Sequence, residues 1–391
     1  MEMQGYAHPK FWRVAKVFEQ QLQHIRGGAA ACVYYQGEPV VDVWGGVMDA
    51  QGNPWKKDTL ALSFSTTKGV TSTLIHILAD RGLIAYDEPI VSYWPEFAAH
   101  GKETITMRHL LCHESGLYGI KNIVEDFEDT QDWQLMASRL AESDPAHAPG
   151  RASAYHAITY GWLLGEIAER VTGKTFGQLM EEMLIQPLKL DGLYIGVPQE
   201  QLNRVAEIID PPVAKAIQFL DKASDYHPDV ILPKNFPVSL RRIKKALLPK
   251  HVELLFHSVP EYLKAAIPSA NGVFTARSLA KMYSMLAAGG TLDGVKLLSQ
   301  RTIFEAGRIQ SRKFDRVVPI PFHWRMGYHS IPSIYGFIPK AFGHLGLGGS
   351  GGWADPARNL SFGMVISDSW IGMPRTEMKA TIVGSAAHRS V

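Results

Sequence analysis

Leu60-Ala61-Leu62-Ser63-Phe64-Ser65-Thr66-Thr67-Lys68-Gly69-Val70-Thr71 is a strand-like apolar run that passes without a linker into a helix. The spacing predicts the strand over Leu60–Phe64. It predicts the helix from about Thr66 to Arg81, with Val70, Leu74, Ile77 and Leu78 burying one face and Gly82 ending it. At the junction stands Ser65-Thr66-Thr67-Lys68. Residues three apart on a helix share a face, so Lys68 can set its amine beside the Ser65 hydroxyl. The first-turn N–H groups and the positive end of the helix dipole favour an anionic oxygen there. A serine hydroxyl is inert at neutral pH without such help. Taken alone, the junction reads equally well as an ordinary serine helix cap. A second Ser-x-x-Lys, Ser278-Leu279-Ala280-Lys281, lies inside a helix and is expected on a solvated face.

Upstream, Ala29–Tyr35 and Pro39–Trp44 are β-rich runs around Gln36-Gly37-Glu38 and read as a hairpin. Downstream, from about 85 to 270, helix signals dominate. Thr106 can cap a helix carrying Leu110 and Leu111, and Tyr160, Leu163, Leu164, Ile167, Ala168 and Val171 mark another that stops at Gly173. Phe176, Leu179, Met180 and Met183 mark a third. Mixed pattern returns with a helix near Ala276–Ala288, strand-like runs at Gly351–Ala354 and Leu360–Ser367, and a last helix at about Pro374–His388. A sheet interrupted by helices and then resumed predicts a discontinuous α/β domain, residues 1–84 and 270–391, around an inserted mainly helical domain, 85–269. The interval 205–262 holds Pro211, Pro212, Pro228, Pro233, Pro237 and the basic residues Arg241, Arg242, Lys244, Lys245 and Lys250. It reads as an irregular insertion over a cleft or, more blandly, as a solvated charged face.

The 391 residues are 46% hydrophobic and 20% charged, with 40 Lys+Arg against 38 Asp+Glu. That is ordinary globular composition, and the net charge of +2 gives no footprint for nucleic acid. Cys32 and Cys112 can make at most one bridge and are expected to be reduced and structural. No run reaches the roughly 18 apolar residues of a membrane span, and the first residues do not read as a secretory leader, so a soluble cytoplasmic protein is expected. No glycine loop follows a strand in the way a phosphate cradle requires, so no nucleotide cofactor is expected. His109, Cys112 and His113 invite a metal reading but lack a third ligand at convincing spacing; structural roles and no metal are expected.

Two further constellations carry chemistry. Pro149-Gly150-Arg151-Ala152-Ser153-Ala154-Tyr155-His156-Ala157 is a loop from which Tyr155 can bring a phenol to the serine, simple packing of a buried tyrosine being the alternative. In Gly343-His344-Leu345-Gly346-Leu347-Gly348-Gly349-Ser350-Gly351-Gly352-Trp353, the glycines let backbone approach a ligand, and a backbone N–H there can hold an oxyanion. Ser350 within it satisfies G-x-S-x-G. That elbow requires a following helix and a downstream acid and histidine, whereas Trp353-Ala354-Asp355-Pro356 lead to another strand and only His388 follows.

In this order and separation, the three constellations resemble the serine β-lactamase and DD-peptidase superfamily, specifically its class C-like branch with the family VIII carboxylesterases. Met107-Arg108-His109-Leu110-Leu111-Cys112-His113-Glu114-Ser115-Gly116-Leu117 and Ser269-Ala270-Asn271-Gly272-Val273 agree with it. The resemblance implies an antiparallel-rich sheet flanked by helices with the helical domain inserted. It implies Ser65 as the acylated nucleophile, Lys68 as its neutral proton acceptor, and Tyr155 as sharing the base role and protonating the leaving group. The backbone N–H groups of Ser65 and Leu347 become the oxyanion donors, Leu347 following the triplet His344-Leu345-Gly346. Two proton acceptors beside one serine are expected to depress each other's proton affinity and favour phenolate on Tyr155.

Two departures bear on substrate. Tyr155-His156-Ala157 lacks the asparagine that helps hold the drug's amide side chain, and His344 replaces the lysine that binds a substrate carboxylate. A neutral histidine does not supply that fixed charge. A cofactor-free serine hydrolase is expected, acting on small-molecule carboxylic esters of short or medium acyl chain, with Tyr118, Phe219, Tyr226, Phe236 and Phe256 as candidate cleft aromatics. A β-lactamase-like or D-amino-acid peptidase or amidase, an acyltransferase and a non-enzymatic scaffold are the alternatives.

Overall fold

Alternation decides the layers. In the computed structural model, which describes residues 1–209, 211, 240–257, 259–318, 321–368 and 373–391, Met3–Ala7 (β1), Gly28–Tyr35 (β2) and Glu38–Gly46 (β3) begin a seven-stranded sheet. Ala29, Ala31 and Val33 of β2 point to one face, and Ala30, Cys32 and Tyr34 to the other. The first face is covered by Trp12–Leu22 (α1), through Val14, Phe18 and Leu22, and by the helix Lys379–His388 through Ala380 and Val383. The second carries the helix Ala276–Ala287 and, beside it against the Gly336–Leu345 and Gly351–Asp355 strands, Thr66–Asp80 (α2).

Ala61–Leu62 (β4) is all that forms of the expected strand Leu60–Phe64. It joins Leu193–Tyr194 (β5) and Val273–Phe274 (β6) in a small second sheet of order β4-β6-β5. Thr291–Leu292 (β7) and Val295–Lys296 (β8) form a ribbon. The large sheet is completed by His329–Ser333 (β9), Gly336–Leu345 (β10), Gly351–Asp355 (β11) and Leu360–Ser367 (β12). Its order is β1-β3-β2-β12-β11-β10-β9, and every neighbouring pair is antiparallel. At Gly363 of β12 a Cβ would lie 2.6 Å from the Ala276 carbonyl oxygen, so the absent side chain is what lets the helix Ala276–Ala287 sit directly on the sheet centre.

Three expectations need correction. α2 does not bury one face: every residue from Thr66 to Leu78 is buried, because the helix runs through the interior. Its polar positions are satisfied there, Thr71 Oγ1 donating to the Pro268 carbonyl (2.6 Å) and Thr73 Oγ1 lying 2.8 Å from Tyr328 Oη. Ser278 is likewise buried rather than solvated, its Oγ donating to the Asp191 carbonyl at 2.6 Å while Lys281 pairs with Asp293. The histidine pair of the metal reading does not share a helical face. Met107–Leu111 (α3) ends before His113, whose φ is 57°, while His109 closes a capping box with Thr106.

Trp133–Glu142 (α4), capped by Asp132, and Tyr160–Thr172 (α5), ended by left-handed Gly173, follow. The third expected helix is Phe176–Met180 continued by a π-turn over Glu181–Ile185. In the interval 205–262, the helices Leu240–Leu247 and Pro260–Lys264 are described. Phe219, Tyr226 and Phe236 lie outside the described residues, as do Pro212, Pro228, Pro233 and Pro237.

Candidate active site

The chain turns from β4 into α2 through Phe64, whose left-handed backbone (φ 44°) is strained for an aromatic residue. Its surroundings hold it there: the ring packs on Phe256 with centroids 5.2 Å apart, and the Phe64 carbonyl accepts from Thr67 Oγ1, which in turn accepts from the Gly272 N–H at 2.8 Å. Ser65 opens the helix, yet its side chain makes no capping bond, so the helix-cap alternative fails. Instead, Ser65 Oγ lies 2.8 Å from Tyr155 Oη and 3.3 Å from Lys68 Nζ.

Lys68 is fully buried. Its Nζ donates to the carbonyls of Ala157 (2.7 Å) and Ser269 (2.8 Å). Burial pushes its pKa well below the ordinary lysine value. A neutral amine has two N–H bonds and one lone pair. With both N–H bonds on carbonyls, the lone pair is left for the serine proton.

Tyr155 departs from the expected phenolate. Burial pushes its pKa above the ordinary phenol value; the bond to Ser65 pulls down and the Asp315 charge adds to the rise, so burial favours the uncharged form of the phenol as it does that of the Lys68 amine. The loop that presents it is pinned by buried Asp315, which accepts from the Tyr155 N–H (3.2 Å), Ser153 Oγ (3.0 Å) and the N–H groups of Val317 (2.9 Å) and Val318 (3.0 Å). The ring stacks on Trp324, with centroids 5.7 Å apart and planes 8° apart. Neither Asp315 nor Trp324 was legible as a site residue. The Ser269 carbonyl sits in a phrase the sequence did single out, but a backbone acceptor leaves no side-chain signature.

The end of β10 lies against the start of α2. A Cβ on Gly346 would fall 2.2 Å from the Ser63 oxygen and 3.1 Å from the Thr66 nitrogen, so only glycine permits this approach. Leu347 comes next, in a turn held by the Gly346 N–H to the Ser350 carbonyl (2.9 Å) and by the Gly348 N–H to both Glu377 carboxylate oxygens (2.8 and 3.0 Å). His344 is buried, donates from Nδ1 to the Leu345 carbonyl at 2.8 Å, and therefore carries its lone pair on Nε2, which has no hydrogen-bond partner among the described residues. Burial first, then His329 and Lys68, hold its pKa well below 6.5, so it supplies no fixed charge. His156 turns away from Ser65 to Ser115 Oγ, 2.6 Å away.

Ser350 immediately precedes β11, so a strand and not a helix follows it, and its Oγ accepts from the Ile366 N–H at 3.2 Å. Ser350→Ala is expected to keep esterase turnover within about twofold while costing on the order of 1 kcal/mol in urea unfolding. A collapse of turnover in a folded variant would make Ser350 the nucleophile.

Buried neutral histidines surround this region. Burial lowers the pKa of His76 and of His329 to about 4, and that of His156 to about 3, from 6.5. Because these values are depressed on folding, the stability they carry is complete above pH 6.5 and is lost as pH falls through 4 to 3. The unfolding free energy from urea titrations should therefore drop between pH 7.5 and pH 5, by roughly 2 kcal/mol per histidine. A flat profile over that range would show that the rings are already charged in the folded protein.

Fold and cluster together define the class: an antiparallel sheet flanked by helices, with a serine, a lysine and a tyrosine meeting at the head of a buried helix. The Beta-lactamase family matches residues 14–381, and the chain belongs to that family. It is 41% identical over 365 residues to the Esterase/beta-lactamase LipL of Mycobacterium tuberculosis, covering 92% of this chain and 82% of that one. Among solved structures it is similar to a family VIII carboxylesterase (TM-score 0.85, 34% identity) and to a penicillin-binding protein homolog from Caulobacter crescentus (TM-score 0.83, 34% identity), each covering 100% of both chains.

Proposed function

We propose that the protein is a serine hydrolase that cleaves carboxylic esters of short or medium acyl chain through an acyl-enzyme on Ser65. The carrying observation is the desolvated Lys68 amine, whose two carbonyl partners leave its lone pair for Ser65 Oγ. Ser65 Oγ attacks the ester carbonyl carbon as its proton moves to Lys68 Nζ. The N–H groups of Ser65 and Leu347 stabilise the tetrahedral oxyanion. When the carbon–oxygen bond to the alcohol breaks, Tyr155 Oη protonates the leaving oxygen and recovers a proton from the Lys68 ammonium, restoring the neutral pair. Water then attacks the acyl carbon, gives its proton to the same pair, and Ser65 leaves as the hydroxyl.

Support for esters over amides comes from His344, which holds no charge for a substrate carboxylate, from Ala157 where an amide-holding asparagine would stand, and from the relatives' printed names. The name of one relative joins esterase to beta-lactamase, which keeps amide cleavage as the second reading. The deciding experiment is intact mass after mixing with a slow ester, with peptide mapping of the adduct, alongside ester and amide turnover by one preparation. Acylation of the peptide carrying Ser65 with faster ester turnover is expected. An adduct elsewhere, or faster amide cleavage, overturns the proposal. Product analysis in water–alcohol mixtures measures any acyl transfer. Among the described residues, no helix is long and apolar enough to cross a membrane.

A further inference from the structure

A second cavity, of about 840 Å³, opens between the helix Gln300–Gly307, β10 and the turn after β11; Ser65, Lys68 and Tyr155 do not line it. Its charged lining is entirely cationic: Arg308, Arg312, Arg325 and Lys340. Arg308 is paired with Glu305 at 3.1 Å. Arg325 is different. It is only 4% exposed, and its guanidinium meets neutral oxygens alone: Ser330 Oγ (3.4 and 3.3 Å) and the carbonyls of Pro339 (3.3 Å) and Gly307. Among the described residues it forms no ion pair. Burial and the neighbouring Arg312 charge lower its pKa to about 10, the response of a desolvated cation that lacks a counter-charge.

The remaining lining mixes apolar side chains with the polar Gln300 and Asn359. Ile303 and Phe342 are buried beneath it, whereas Phe304, on the helix face beside them, is 70% exposed. A large exposed aromatic at the mouth of a cavity with a buried cation has the pattern of a small-molecule site that takes an amphiphile, apolar surface on one side and polar and cationic groups on the other, within the usual range of roughly 300–1,000 Å³. A simple inorganic anion would leave the apolar wall uncovered, and an apolar molecule would leave Arg325 uncompensated.

We propose that this cavity binds an amphiphilic monocarboxylate, its head group on Arg325 and Arg312 and its chain along Ile303, Phe304 and Phe342. Ester cleavage releases molecules of this class, so the site would fill as substrate is consumed; that clause alone rests on the function proposed above, and binding does not.

Calorimetric titration of the intact protein with decanoate, decanol and inorganic phosphate is the test. Decanoate should bind at one site, at least tenfold tighter than decanol or phosphate, with the affinity falling at least tenfold in Arg312→Glu and in Phe304→Ser. Both residues are exposed at the rim, so these variants fold even where Arg325→Met does not. Failure of decanoate to bind, equal binding of decanol or phosphate, or unchanged affinity in both rim variants would overturn the assignment. None of these readouts uses catalysis, so the result stands apart from the identity of the nucleophile.

Discussion

Ser65→Ala and Lys68→Met will each remove about three or more orders of magnitude from kcat on an activated ester, and the double variant will lose little more than either alone. The reason is geometric. With Ala157 and Ser269 holding the amine's N–H bonds, Lys68 has one function left, to take the Ser65 proton, and without it the hydroxyl at 3.3 Å remains a poor nucleophile. The same burial sets the pH response. Burial disfavours the ammonium form of Lys68, and activity should fall on the acid side as the amine becomes protonated. Lys68→Met carries a second signature. Burial disfavours the ammonium in the folded chain relative to the unfolded one, so folding bears a cost at this amine that methionine lacks; the inactive variant should melt at a higher temperature. Folded Lys68→Met that keeps activity within tenfold of the parent would refute the role.

Tyr155→Phe should cost about two to four orders of magnitude in kcat on alkyl esters and clearly less on p-nitrophenyl esters. Phenylalanine keeps the stack on Trp324 and loses only the oxygen 2.8 Å from Ser65. Because burial holds Tyr155 protonated, its contribution is a proton for the leaving oxygen; an alkoxide needs that proton and nitrophenolate does not. An equal loss on both ester types would mean that Tyr155 acts before the leaving group departs.

The residues at the heart of this site were readable because each lies in a local pattern: Ser65 and Lys68 at one helical spacing, Tyr155 in a Pro-Gly loop ahead of α5, and Gly346 in a glycine run. Their supports were not, because they act through tertiary contact. Asp315 is a lone acid with no periodic context, Glu377 reaches the Gly348 N–H from 29 positions away, and the acceptors on Lys68 are main-chain oxygens. The state of Tyr155 was misjudged for a related reason: sequence can suggest two neighbouring bases, but depth of burial decides which of them keeps its proton. In the fold, the hairpin followed from β-rich runs with alternation in Pro39–Trp44, and β11 and β12 from strand-like runs. β9 and β10 were missed because Pro332, Pro339 and a register shift between Phe337 and Phe342 break that alternation. α1 went unread although Val14, Phe18 and Leu22 recur at intervals of four.

The sheet order has a consequence for how the protein is made. β12, synthesised long after β2, lies between β2 and β11, so the hairpin β2–β3 has no neighbour on that side until the chain as far as Leu360–Ser367 has left the ribosome. Pairings this distant in sequence close slowly, leaving the early strands waiting with open edges. A translation product lacking β10 to β12 would carry Ser65, Lys68 and Tyr155 yet lack the Leu347 N–H of the proposed mechanism, so on that mechanism hydrolytic competence waits until β10 and β11 have emerged.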